Sequence, residues 1–138
     1  MKGVSATLAL GLALAACNAA VDADGLARVR RTIGATAAEA NLLIEETLRR
    51  DVTRTYARIH REKLLEHLHD AAEELDRPAP ETLAGDAERA RQLAVALAGA
   101  LQSLGDALAR GDAAPGNADA LKALQQRFTT IRHDAAAS

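Results

Sequence analysis

The chain has almost no aromatic side chains: one Tyr, one Phe and no Trp in 138 residues. Binding of a nucleic-acid strand needs aromatic faces beside a basic groove. Basic and acidic residues here interleave without a basic stripe, at a formal net charge of −2, so no nucleic-acid partner is expected. A single cysteine, Cys17, rules out an intramolecular disulfide. Proline occurs only at Pro78, Pro80 and Pro115, which leaves Val21 to Arg77 uninterrupted. Val and Ile are scattered singly, so no segment reads as a strand. There is no Gly-rich phosphate loop, and Ser103 lies mid-helix, outside any nucleophile-elbow or S-x-x-K setting. No CxxCH surrounds Cys17 for covalent haem. No catalytic residue is assigned, and the chain is not expected to be an enzyme.

What is present is Ala, Leu, Arg and Glu, residues that lose little on entering a helix. Leu26, Val29 and Ile33 begin a stripe at steps of three and four that Ala37, Ala40, Leu43, Ile44, Leu48, Val52, Tyr56 and Ile59 continue and Leu64, Leu68, Ala71 and Leu75 finish. Asp76-Arg77-Pro78-Ala79-Pro80 is the clearest turn. A second helix is expected from about Glu81 to Arg110, and its run Leu93 to Leu101, apolar on all sides, predicts contact on several faces. Arg110 to Asn117 is the next turn, with Gly111 suited to close one helix and Asn117 to cap the next. Leu121, Leu124, Phe128 and Ile131 carry the last helix. The fold class expected is all-α, an antiparallel bundle of three long helices. It becomes four if the first is broken near Gly34, where Thr36-Ala37-Ala38-Glu39 has the capping-box form, or near Asp51-Val52-Thr53. Neither place offers the residues of a tight reversal. An Ala-rich core is thin, and at about 25 cal/mol per Å² of buried apolar area each helix must meet its neighbours along a long seam.

The most polar stretch, Tyr56 to Glu74, holds three of the four histidines. On a helix Glu62, Glu66, His69 and Glu73 share one face, while His60 and His67 share another. Imidazole and carboxylate are ligands for zinc or copper, so His60, His67, His69, Glu66 and Glu73 are the weak metal candidates. No HExxH or paired ExxH pattern accompanies them. The expected reading is a solvated face laced with Glu–Lys/Arg/His pairs, with no metal and no non-covalent cofactor. A metal- or small-ligand-binding bundle is the alternative function.

The N-terminus carries the one specific signal. Lys2 supplies a positive start, and Val4 to Ala16 an apolar run of 13 residues. That is too short for a helix spanning a bilayer, which needs about 20, and it suits a signal peptide. It closes on Leu14-Ala15-Ala16-Cys17, which resembles the lipobox of bacterial lipoproteins: an aliphatic residue, two small residues, then Cys. The resemblance covers only the leader. It implies a cleaved signal helix over residues 1–16, a lipidated Cys17 on a short tether to residue 24, and one helical domain over 25–138. Cys17 would carry a diacylglyceryl thioether and often an N-acyl chain; two or three chains anchor stably where one is marginal. Asn18, rather than Asp, implies passage to the outer membrane, facing the periplasm. The competing expectation is ordinary cleavage near Ala19 and a soluble product. The expected partners are membrane lipid through acylated Cys17, an unidentified envelope protein, and a second copy by self-association. The expected function is a non-catalytic interaction, adaptor or structural component of the cell envelope.

Overall fold

The computed structural model describes residues 19–137. The leader and Cys17 lie outside them. Every regular element among the described residues is helical: α1 Ala23–Arg49, α2 Arg54–Ala72, α3 Ala84–Arg110 and α4 Asn117–Ala136.

Helix α1 starts at Asp22, whose Oδ1 accepts the Gly25 N–H at 2.6 Å, satisfying one of the free donors of the first turn. Gly25 lies close to the carboxylate of Glu74: a Cβ there would sit 2.7 Å from Glu74 Oε1 and would push that side chain aside. Leu26, Val29, Ile33, Ala37, Ala40, Leu43 and Ile44 are all buried, so one continuous stripe holds the helix against its neighbours. The helix runs through Gly34, and Thr36, buried inside it, does not cap a new one.

The chain breaks instead at the second candidate place, which makes four α-helices where three long ones were expected. Arg50 adopts the left-handed conformation (φ 62°). Its N–H reaches the Thr47 carbonyl at 3.1 Å, and the Asp51 N–H reaches Glu46 at 2.9 Å, closing the last turn in the manner of a Schellman motif. Thr53 then caps α2, its Oγ1 accepting the Tyr56 N–H at 3.1 Å. The physical reason for the reversal is length. An unbroken helix over residues 36–75 would measure about 60 Å, whereas α3, with 27 residues, spans about 40 Å. Folding back lets Ala57, Leu64, Leu68 and Leu75 enter the core.

A 3-10 turn at Glu73–Asp76 ends α2, and another at Glu81–Leu83 leads into α3. The Arg91 guanidinium clamps the first of these, donating to the Leu75 carbonyl from Nε at 3.1 Å and Nη2 at 2.9 Å. Gly111, at φ 84°, closes α3, as its sequence position suggests. Asn117 acts in the opposite direction from the one expected. It lies buried inside the first turn of α4, and its Nδ2 donates backward to the carbonyls of Ala107 at 3.2 Å and Gly111 at 3.1 Å. It therefore caps the end of α3.

The helices alternate in direction. α1 packs most extensively on α4, α2 lies between α1 and α3, and α3 returns against α4, giving the up-down-up-down order that short connections impose. The core is filled by Phe128, Ile33, Leu43, Ile44, Leu64, Leu97, Leu101 and Leu104, with Ala37, Ala40, Ala57, Ala87, Ala100 and Ala107 fully inaccessible between them. Val21 also belongs to it, and its N–H donates to the Pro78 carbonyl at 3.0 Å. The packed body therefore includes Val21, ahead of the residue 25 boundary expected for the helical domain. The run Leu93–Leu101 is not covered all round: Val95 is 74% exposed, because among the described residues no element packs on the outer face of α3.

Two stability outcomes follow. Asn117→Ala should lower unfolding free energy by about 1–3 kcal/mol, and Asn117→Asp by more, since a carboxylate would face two carbonyl oxygens; chemical denaturation of the full chain measures both. Arg50→Gly should raise stability by about 1 kcal/mol, the left-handed penalty of a residue with a Cβ, seen as a higher midpoint in the same experiment.

Candidate functional site

The histidines that the sequence singles out all lie on α2, and the fold disperses them. His60, at the α1 side, has Nε2 3.7 Å from Glu39 Oε2, and its ring stacks on Tyr56 with centroids 5.7 Å apart. His69 faces solvent on the α3 side, 4.0 Å from Glu73, one turn along the same helix. His67 and Glu66 are exposed. Among the described residues, no three His, Cys, Asp or Glu side chains are placed to hold a metal ion. Among the described residues, the His60–Glu39 pair is the one contact of these histidines with a charged group on another helix. Everything else on this face consists of short-range pairs within one helix, which is the solvated arrangement of an amphipathic surface.

Several open clefts run between helices, and two of them have mainly apolar walls. One lies between α1 and α4 and encloses about 560 Å³. Its floor is Ala27, Gly34, Ala35 and Ala38, its α4 wall includes Ala135 and Ala136, and Arg31 and Arg132 stand at its sides. The other lies between α2 and α3 and encloses about 540 Å³. Leu65, Leu68 and Ala72 face Ala94, Val95 and Ala98 across it, with Glu66, His69 and Gln102 at the rim. Its polar groups stand at the edge and do not converge on a point inside, so the cleft offers apolar contact with a charged border rather than a place to hold and activate a small substrate. Leu42, Tyr56 and Ile59, each about half exposed, add a second apolar area on the α1 and α2 side.

Two of these features have different legibility. Leu93 to Leu101 signals excess apolar surface, but which side would remain uncovered depends on where α2 settles against α3. The Tyr56–His60 stack follows from helical spacing of four. Helix α3 with its leading turn, Glu81–Arg110, is long and apolar enough by composition to cross a membrane; its Leu97, Leu101, Leu104 and Leu108 are nevertheless spent in the core, as in the central helix of a bundle. The one lipidation candidate, Cys17, lies outside the described residues.

No protein-family model matches the chain, and neither the curated proteins nor the solved structures contain a match.

Zinc or copper added to the full chain should leave its thermal midpoint unchanged, since a ligand raises stability only by binding the folded state. A rise of several degrees that disappears with His60→Ala or His69→Ala would identify a metal site.

Proposed function

We propose that this chain is a bacterial lipoprotein: a helical bundle held to the cell envelope by lipid on Cys17, and working there by protein contact without catalysis. The observation that carries the reading is Leu14-Ala15-Ala16-Cys17 at the end of an apolar leader of signal-peptide length. Asn18 favours the periplasmic face of the outer membrane as its place.

The fold lends support through what it leaves exposed. The α2–α3 cleft and the half-exposed Leu42, Tyr56 and Ile59 are apolar surfaces bordered by charge, the composition of a contact surface. Val21 is fixed in the core four residues after Cys17. Those residues reach at most about 14 Å when extended, so an acylated Cys17 would keep the bundle close against the bilayer.

Fractionation of cells producing the parent chain and Cys17→Ala tests the reading. The parent should pellet with membranes and require detergent for release. Cys17→Ala should lose the acyl anchor and accumulate as unprocessed precursor or soluble chain. Equal membrane association of a processed Cys17→Ala product would overturn the proposal.

A further inference from the structure

The cleft between α1 and α4 is lined by charge of one sign. It encloses about 560 Å³, and its charged lining residues are Arg30, Arg31 and Arg132, with no Asp or Glu among them. Arg30 is engaged, since its Nη2 donates to the Ala135 carbonyl at 3.2 Å and ties the two helices together. Arg31 and Arg132 are exposed and make no ion pair or hydrogen bond among the described residues.

The acids nearby leave these two cations uncompensated. Asp24 lies on the same side of α1 but two turns before Arg31. Glu39 turns to His60 on α2, at 3.7 Å. Asp134 falls on the opposite side of α4 from Arg132 by helical spacing and lies 3.6 Å from His133. Farther along the groove between α1 and α4, Glu45 pairs with Arg49 at 3.3 Å, and Lys122 adds another cation. Like charges held beside an apolar cleft raise the local concentration of anions.

The rest of the lining is small. Ala27, Ala35, Ala38 and Ala136 form its walls with Gly34 between them. A Cβ on Gly34 would meet only Ala135 Cβ, in ordinary contact at 3.8 Å, so packing inside the chain does not require the glycine. The place of the cleft in the bundle matters too. Ala27 is one turn from the start of α1 at Ala23, which follows Cys17 by six residues, and Ala136 ends α4. The cleft therefore opens at the end of the bundle where the chain leads back to Cys17. Glu73, Asp76 and Glu81 at that end belong to the turns beside α2 and α3, across the bundle from it.

We infer that the α1–α4 cleft binds one anionic glycerophospholipid, its phosphate held by Arg31 and Arg132 and the upper part of an acyl chain lying on the alanines and Gly34. Guanidinium donates paired N–H bonds to phosphate oxygens. A free anion would leave the alanines wet, and a lipid of no net charge would leave the two guanidiniums uncompensated. The contact would turn the α1–α4 side toward the bilayer and add an electrostatic attachment to that of an acyl anchor. The inference rests on the lipoprotein reading for the source of the lipid, not for the chemistry of the cleft.

Native mass spectrometry of the full chain, released from non-ionic detergent micelles holding equal amounts of phosphatidylglycerol and phosphatidylcholine, tests it. One phosphatidylglycerol should be retained per chain, with phosphatidylcholine about tenfold lower. Arg31→Gln and Arg132→Gln should each lower phosphatidylglycerol retention about fivefold, the effect of one basic side chain near an anionic surface, while Arg89→Gln on α3 should leave it unchanged. Gly34→Leu, which fills the floor, should remove it without lowering the unfolding midpoint, since Leu favours a helix over Gly. Equal retention of the two lipids, retention unchanged in Gly34→Leu or in the double variant of Arg31→Gln and Arg132→Gln, or displacement of the lipid by excess inorganic phosphate would overturn the inference. The same spectra read the mass carried on Cys17, so failure of the cleft and failure of the anchor are separable.

Discussion

The structure depends on how closely its helices can approach. Ala37, Ala40, Ala57, Ala87, Ala100 and Ala107 are sealed between helices, and each contributes little apolar area. Such seams are stabilised by length and proximity, since small side chains let backbones come near and long helices repeat the contact many times. Phe128, the only Phe, fills the space that alanines cannot. A thin core of this kind tolerates few open ends, and each end of the bundle is accordingly closed by a polar device: the Arg50 left-handed turn, the Arg91 clamp on Leu75, and the Asn117 amide on Ala107 and Gly111. These satisfy carbonyls that a helix terminus leaves without partners.

Much of this was legible in the residues. The stripes from Leu26 and Leu121 marked buried faces, and Pro78 with Pro80 and Gly111 marked two of the three turns. The third turn was harder because its signal is weak. Arg50 takes a conformation usually given to Gly, and only the need to match the length of α3 makes that worthwhile. Gly34 and Thr36 carried the stronger local signal for a break, yet Ile33 and Ala37 on either side are both fully buried, and tertiary packing overrode local preference. Asn117 was legible as a cap but not in its direction, since the same amide serves the helix before or after it depending on how α3 and α4 dock. Val21 was hidden for a related reason: a lone Val among small polar residues is core only once the Pro78 turn is beside it.

The candidate chemistry divides along the same line. Helical spacing alone puts His69 beside Glu73 and His60 beside Tyr56, and nothing in the fold gathers them further. The proposed function rests on a feature outside the described bundle, the Leu14-Ala15-Ala16-Cys17 motif. A folded body that begins at Val21 suits an anchor at Cys17, because little chain then separates the two.

The central claim is chemical: that the mature chain begins at a lipid-modified Cys17. Intact mass spectrometry of the protein extracted from a producing bacterium tests it most directly. The account expects a chain that begins at residue 17 and carries the mass of a diacylglyceryl group, with or without one N-acyl chain, on its N-terminal cysteine. An unmodified chain beginning near Ala19, or one retaining residues 1–16 without lipid, would contradict it.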